Sequence, residues 1–216
     1  MNKLESVERG DKQRAPAWGA NLPSSEDDAR SRLIEAAEAC FVERGPSRTK
    51  MTHVAAKAGV HRTTVYSYFP NMDAILGACF VKATNLVVAA ADPYFAEERP
   101  FVDRLINAIV AGLKAARSSP AMLSMTAPHD LARAHHAAER SEAWRTEIVE
   151  GLIDRFAEAD PGELRTDVST QQMALWVVRI AFSLIEDPGN PECGGDEGLL
   201  RNFLPGALQP QKRSAT

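Results

Sequence analysis

The stretch that most constrains this chain is residues 48–69, which reads as two short helices separated by one glycine. Val54 and Ala58 fall at i and i+4, the spacing of one apolar helix face. Thr49 is expected to cap the start of this helix, because its hydroxyl can accept a backbone N–H that the first turn leaves unpaired. Gly59 stands where the helix has to end, since glycine enters the left-handed conformation without a Cβ clash. The spacing therefore predicts two helices that meet at a sharp turn.

The second of these helices has two different sides. Val60, Val65 and Phe69 mark an inner, apolar side. The outer side carries side chains that can bind DNA bases or phosphates: Arg62, Thr63, Thr64, Tyr66 and Tyr68. This is the helix-turn-helix pattern, in which the second helix lies in the major groove of DNA. Arginine suits guanine O6 and N7, threonine methyls suit thymine, and tyrosine hydroxyls suit phosphates.

Further polar residues stand near the start of the first helix, where contacts to the DNA backbone are expected: Arg48, Lys50 and Thr52. Lys57, later in the same helix, is expected to be a solvated surface charge. The alternative to DNA contact at all of these positions is an ordinary amphipathic helix pair with a polar outer face.

The segment Ala-Gly-Val-His-Arg-Thr-Thr-Val-Tyr-Ser-Tyr-Phe at residues 58–69 resembles the signature of TetR-type (tetracycline-repressor-like) regulators. Ala36-Ala37, Phe41 and Glu43-Arg44-Gly45 resemble it upstream, so the similarity spans roughly residues 29–77. The resemblance implies an all-helical protein in which a fourth helix joins a DNA-reading head to a regulatory body.

Met72 departs from the pattern of the family that the chain resembles. Members usually carry a lysine at the matching position, where it meets a phosphate. Methionine cannot make that contact. One backbone contact per subunit is therefore expected to be missing, and with it about one unit of the salt-dependence slope.

An all-α fold with two domains is the prediction for the whole chain. Aromatic residues make up only 6% of the chain and alanine is abundant, which favours helices over sheets. We predict a three-helix helix-turn-helix DNA-binding domain at 24–73 and a helical ligand-binding and dimerisation domain at 74–206. Residues 1–23 and 207–216 are expected to be a disordered arm and a disordered tail.

Capping signals place several helix ends. Ser25, followed by three acidic residues, is expected to begin the first helix, and Ser169 with Gln172 resembles a capping box. A long helix is expected from Met72 to about Ala91. Three later segments are predicted as follows: residues 131–140 a helix or a mobile connection, 141–159 one helix, and 199–204 a short last helix.

The net charge of −4 argues against DNA binding until its distribution is considered. Residues 29–73 hold 7 basic and 4 acidic side chains, whereas residues 74–216 hold 14 basic and 19 acidic ones. Phosphate contacts need only a local basic patch, and the helix-turn-helix segment supplies one.

The cysteines indicate a reducing compartment. Cys40, Cys79 and Cys193 are far apart and form no CxxC pair, so neither a disulfide scaffold nor a zinc site is expected. The N-terminus has no apolar segment of the secretory type, and we find no run that approaches the ~20 apolar residues of a membrane span. A soluble bacterial protein, cytoplasmic and nucleoid-associated, is the expectation.

A second copy of the chain is the predicted partner of its last two helices. Residues 173–185 are apolar on almost every side of the predicted helix, so packing against the body on one side would leave apolar side chains exposed on the other. A twofold interface uses one patch twice. We therefore predict a homodimer through about residues 169–186 and 197–205.

A ligand cavity is predicted in the regulatory domain. The candidate lining residues are Phe95, Met122, Met125, Trp144 and Trp176, although apolar residues at helical spacing are more often plain core. Arg179 interrupts the apolar helix and either holds an acidic ligand group or pairs with a carboxylate such as Asp154 or Glu186. A buried charge needs a partner, and a structural partner is the commoner case.

No cofactor, metal site or catalytic apparatus is expected. Asp130 lies among three histidines, but His135 and His136 are adjacent and diverge by about 100° on a helix, so surface or pocket-lip histidines are the preferred interpretation. No phosphate loop, nucleophile elbow or pair of catalytic carboxylates is recognisable. An enzyme is the least favoured class.

The leading hypothesis is a DNA-binding transcriptional regulator, most often a repressor in the family that the chain resembles. Its partners would be a palindromic double-stranded DNA operator, which it binds as a homodimer, and a small apolar effector that releases it. The alternative is a helical ligand-binding or protein-interaction module that has lost DNA reading, and the methionine at position 72 is its best support.

Overall fold

The computed structural model describes Trp18 and residues 22–125 and 128–210, and within these the regular structure is entirely helical. The head comprises α1 (Glu26–Arg44), a 3₁₀ turn (Pro46–Arg48), α2 (Met51–Ala58) and α3 (Arg62–Tyr68). The body comprises α4 (Met72–Ala91), a 3₁₀ segment (Asp92–Ala96), α5 (Phe101–Ser118), α6 (Pro120–Ser124), α7 (Pro128–Glu139), α8 (Glu142–Trp144), a π-helical turn (Arg145–Glu150), α9 (Gly151–Ala157), α10 (Thr170–Glu186), a 3₁₀ turn (Pro191–Cys193) and α11 (Gly195–Leu208). The all-α prediction is confirmed.

Local capping chemistry fixes several of these helix ends, as predicted. The Ser25 hydroxyl accepts the backbone N–H of Asp28 at the start of α1. Ser169 and Gln172 form the reciprocal capping box that opens α10. Gly59 ends α2 in the left-handed conformation with φ at 69°, where a Cβ atom would be strained.

The predicted capping role of Thr49 is wrong. Helix α2 begins one residue later, at Met51, with Lys50 as its N-cap. The Thr49 side chain is buried, and its hydroxyl donates to the Gly45 carbonyl at 2.8 Å. The residue therefore closes the turn that leaves α1 instead of opening α2.

The later helices differ from the predicted pattern in three places. Residues 131–140 lie in α7, so this segment is a helix and not a loose connection. The predicted single helix at 141–159 is interrupted by the π turn. The last helix runs to Leu208, whose side chain is buried. The prediction that disorder begins at residue 207 is therefore wrong for the first residues of that range. Most of the predicted arm at 1–23 and the end of the tail lie outside the described residues.

Helix α4 is the central element of the body. Together with the following 3₁₀ segment, Met72–Ala96 is long and apolar enough to cross a membrane, and an 18-residue window within it has a mean hydropathy of 1.8, so the expectation that no run approaches this length is wrong. Its inner face is nonetheless buried against other helices. One such helix is weak evidence for a membrane span, because the core helix of a soluble protein passes the same test.

One apolar core runs from the head into the adjoining half of the body. It combines side chains of the helix-turn-helix with side chains of α4, α6, α7 and α8: among them Phe41, Val54, Val65, Phe69, Ile75, Phe80, Met122, Met125, Leu131 and Trp144. A second core fills the far half of the body between α5, α9, α10 and α11. The head therefore has no core that is separate from the body.

Candidate nucleic-acid interface and ligand cavity

Helix α3 presents a polar surface to solvent. Val65 and Phe69 are fully buried, so they fix which way the helix faces. The side chains of Arg62, Thr63 and Tyr66 are exposed on the opposite side. The structure thus brings three of the five predicted base-reading and phosphate-contacting residues of this helix to one accessible surface.

Arg62 and Tyr66 form a pair one helical turn apart. The Arg62 Nη2 atom donates to the Tyr66 hydroxyl at 2.9 Å, and the guanidinium carbon lies 5.0 Å from the centroid of the tyrosine ring. The face of the tyrosine ring attracts the guanidinium cation, and the hydroxyl oxygen accepts a hydrogen bond from it. This pairing holds the guanidinium over the exposed surface of α3 and limits its rotamers.

Thr64 and Tyr68 do not belong to this surface. Only 8% of Thr64 is exposed, since it follows Thr63 by one position and therefore turns toward the core side of the helix. Tyr68 is half-buried beneath Trp18, whose ring centroid lies 6.5 Å from its own. Thr64 is therefore not accessible on the exposed surface of α3, and Tyr68 is only partly available.

The residues predicted to contact the DNA backbone lie around the start of α2. Arg48, Lys50 and Thr52 are all exposed. The Arg48 Nε atom donates to the carbonyl of Arg44 at 2.8 Å, which places the guanidinium beside the end of α1. Met72 is half-buried and packs against the shared core, so it offers no group to a phosphate.

A cavity of about 350 Å³ lies within the body, between α4, α5, the π turn, α9 and α10. Its walls are mostly aliphatic: Val87, Ala91, Leu105, Ala108, Ile109, Leu113, Ile148, Leu152, Val177, Val178, Ala181 and Ile185. Phe95 closes one end. Small-molecule sites in proteins are concave, mostly apolar and begin at about this size.

Five polar side chains line this cavity, and four of them are exposed to solvent. They are Asp92, Glu147, Asp154, Arg155 and Glu158. The Arg155 guanidinium donates to the Asp92 carboxylate and, at 2.9 Å, to Glu158 Oε1. The same guanidinium lies 5.2 Å from the Phe95 ring centroid, so it ties the cavity edge to the cavity wall.

Of the six residues predicted to contact a ligand, only Phe95 lines this cavity. Met122, Met125 and Trp144 are buried in the core shared with the head. Trp176 and Arg179 are exposed on the outer side of α10, and within the described part of the subunit Arg179 forms no ion pair with Asp154, Glu186 or any other carboxylate. Those five residues lie outside the lining of this cavity.

Sequence reasoning missed most of the cavity, but two glycines mark it. Gly112 lies inside α5, and a Cβ atom there would stand 2.8 Å from Val87 Cγ1. Gly151 lies between the π turn and α9. An isolated glycine within a helical pattern usually has a packing or functional reason, and that signal is readable from the sequence.

The outer faces of α10 and α11 leave large apolar side chains in solvent. Leu175 and Trp176 on α10 are 44% and 38% exposed, and Phe203 on α11 is 69% exposed. A patch of this kind on a soluble protein commonly marks an interaction site.

The candidate metal ligands are otherwise engaged. The Asp130 carboxylate accepts a hydrogen bond from the Ser47 hydroxyl, and the His135 ring packs 4.0 Å from the ring centroid of Phe182. Within the described ranges no group of three histidine, cysteine or acidic side chains is arranged to hold a metal ion.

Comparisons with known proteins agree with this geometry. The family model described as bacterial regulatory proteins, tetR family, matches residues 33–79. An uncharacterized HTH-type transcriptional regulator of Mycobacterium tuberculosis is 27% identical over 187 residues, which covers 87% of this chain and 89% of the relative.

Two solved structures show the same fold. Salmonella enterica GusR superposes with a TM-score of 0.59 at 21% identity, covering 87% of this chain and 99% of GusR. The fatty acid degradation regulator FadR from Bacillus halodurans superposes with a TM-score of 0.58 at 17% identity, covering 85% and 96%. At these identities the likeness concerns the fold alone. The helix-turn-helix of this chain thus matches the tetR family of bacterial regulatory proteins, and the chain as a whole is similar to HTH-type transcriptional regulators in sequence and to TetR-family regulators in fold.

Proposed function

We propose that the protein is a homodimeric repressor that binds a palindromic operator and leaves it when a small apolar molecule occupies the body. The observation that carries this proposal is the surface of α3, where Arg62, Thr63 and Tyr66 are exposed while Val65 and Phe69 anchor the helix in the core. A recognition helix needs both features, because its side chains must reach base edges without moving the helix.

The operator contacts divide into two kinds. Arg62 would read guanine through O6 and N7, and the Thr63 methyl would touch thymine. Arg48, Lys50 and Thr52 would hold the phosphates on either side of the groove. Since Met72 supplies no such contact, the salt dependence would be shallower by about one phosphate per subunit.

The proposed dimer would form through α10 and α11. Leu175, Trp176 and Phe203 supply the apolar surface, and a twofold axis would bury it on both copies. Two α3 helices would then face successive half-sites about 35 Å apart.

Effector release would follow from a difference in affinity. The cavity touches α4, and α4 begins directly after the helix-turn-helix. A ligand that binds better when α4 stands in the position unsuited to DNA would shift the population to that conformer. The loss of operator affinity would equal that preference and no more.

The test of DNA reading is a mobility-shift titration on DNA upstream of the protein's own and neighbouring genes. The double variant R62A/T63A should bind the shifted fragment at least about tenfold more weakly, since one good base contact is worth about 1–3 kcal/mol. R140A, which removes an exposed arginine from the turn after α7, is the matched control and should bind normally. Wild-type protein that binds every fragment equally would refute operator reading.

The dimer is tested separately by sedimentation equilibrium. Phe203→Glu places a charge in the proposed interface and should convert dimers to monomers, with loss of operator binding. Leu86→Glu adds the same charge at an exposed leucine on α4 and should leave the dimer intact. A monomeric wild-type protein that still binds a palindrome would contradict this assembly.

A further inference from the structure

The exposed residues that line the cavity are mostly acidic. Five of the lining residues are exposed, and they mark where the cavity meets solvent: Val88, Asp92, Glu147, Asp154 and Glu158. Four of these five carry a carboxylate. Any molecule that enters the apolar interior has to leave its solvent-facing end beside these groups.

Arg155 is the one basic residue of the lining, and it offsets only one of these four negative charges. Its guanidinium is already engaged by Asp92 and Glu158. Glu147 and Asp154 form no ion pair with any residue that the structure describes. The cavity edge therefore carries two carboxylates without a cationic partner.

The π turn is a second, independent feature of the same wall. It spans Arg145–Glu150, and Glu147 and Ile148 within it line the cavity. The Gly151 N–H reaches back to the Thr146 carbonyl, five residues earlier, which is the wider repeat of a π-helix. Such turns are rare and occur often at functional sites. Here the wider turn places one of the unpaired carboxylates at the cavity edge.

We propose that the cavity takes an amphiphilic cation, with an aliphatic or aromatic part in the interior and an ammonium or amidinium group beside Glu147 and Asp154. This inference rests on the effector site proposed above and names its ligand class. A long-chain carboxylate or sulfate would place its negative charge beside four carboxylates, which would repel it. A neutral alcohol would gain the apolar burial alone.

The experiment compares three probes with the same alkyl chain: decyltrimethylammonium, 1-decanol and decyl sulfate. Each is titrated calorimetrically into the full-length protein below the concentration at which micelles form. The cation should bind about fivefold more tightly than the alcohol, because an exposed carboxylate contributes modestly to the binding of a cation, and the sulfate should bind most weakly. Added salt should reduce the advantage of the cation.

The matched variants isolate the charge. E147Q/D154N should lose the preference for the cation and keep the affinity for decanol, which shows that the cavity remains intact. E150Q changes the same charge on the same π turn at an exposed position outside the cavity lining, and should keep the preference. Equal or tighter binding of decyl sulfate, no binding of any probe, or an unchanged preference in E147Q/D154N would each overturn the inference.

Operator binding is measured on the same preparation without a probe. Its failure would refute the proposed regulator and leave the ligand preference standing. A cation that binds with the expected preference but leaves the operator complex intact would support the ligand class and refute effector release.

Discussion

The hydroxyl of Ser47 donates a hydrogen bond to Oδ1 of Asp130 at 2.6 Å, across 83 residues of sequence. Ser47 lies in the turn that precedes the helix-turn-helix, and Asp130 lies in the first turn of α7. Arg133, one turn further along α7, pairs through Nε with Asp73 Oδ1 at 2.9 Å, at the start of α4. The entry and the exit of the helix-turn-helix are therefore both attached to α7.

The Ser47–Asp130 link should contribute measurably to stability, because Asp130 is only 4% exposed and its loss would leave the serine without this partner. We expect D130A to lower the free energy of unfolding by about 1–3 kcal/mol. A double-mutant cycle with S47A, followed by urea denaturation, should give a coupling energy of about 1 kcal/mol or more. Additive effects of the two substitutions would show that the bond is not energetically coupled.

Thr63 and Thr64 form a natural matched pair on α3. Thr63→Ala should weaken operator binding by about 1–3 kcal/mol while stability changes by less than about 0.5 kcal/mol, because the side chain is exposed. Thr64→Ala should do the reverse, lowering stability by about 1 kcal/mol, because the side chain is buried. Thermal denaturation and the mobility-shift assay on both variants separate the two effects, and the reverse assignment would mean that α3 is rotated.

His135 should make the protein sensitive to mild acid. Burial against Phe182, Trp144 and Phe80 lowers the pKa of His135 from its ordinary value of 6.5, Glu139 raises it in part, and the proximity of His136 and Arg179 lowers it further. Below about pH 6.5 the unfolded chain then binds a proton that the folded protein resists. Above that pH the contribution of His135 to the free energy of unfolding should be constant. It should decrease as the pH falls from about 6.5 toward the lower pKa of His135 in the folded protein.

The measurement is the thermal midpoint at about pH 7.5 and about pH 5.5. His135→Phe keeps an aromatic ring in place and should reduce the loss on acidification. His136→Gln removes a well-exposed neighbour with a smaller effect than burial and should retain most of the wild-type loss. Equal pH dependence in His135→Phe and wild-type protein would exclude this histidine as the cause.

Filling the cavity should separate ligand binding from DNA binding. Ala181 lines the cavity from α10, so Ala181→Leu should reduce the affinity for decyltrimethylammonium at least about tenfold, by occupying the space of the alkyl chain. Operator binding should remain, and stability should be unchanged or slightly higher, since an apolar void is filled. Ala157→Leu, at an exposed position of α9 away from the lining, should leave the affinity for the cation unchanged.

The features that could be predicted from the sequence are those set by a few neighbouring residues. The cap at Ser25, the capping box at Ser169 and the left-handed turn at Gly59 each depend on side chains within one helical turn. The apolar face of the helix-turn-helix also follows from local spacing. Thr49 shows the limit of this reasoning, because its hydroxyl could bond either to the start of α2 or to the Gly45 carbonyl, and it bonds to the latter.

The cavity could not be predicted in the same way, because it is a gap between helices that are distant in sequence. Met122, Met125 and Trp144 have the residue types of a ligand pocket, but the packing of α6, α7 and α8 on α4 places them in the core shared with the head. Val87, Ile109 and Val178 look like ordinary core residues, and only the arrangement of α4, α5 and α10 leaves space between them. Helical periodicity determines which side of a helix is buried, but not against which partner.

The core shared by head and body limits how the protein can be re-engineered. Phe41 and Phe69 of the head lie in the same apolar cluster as Met122 and Leu131 of the body. A chimera joined at the start of α4 would exchange one half of that cluster and leave the other unmatched. Grafts between relatives should therefore retain α6, α7 and α8 with the head that they cover, and take the new sequence only from the residues beyond Trp144.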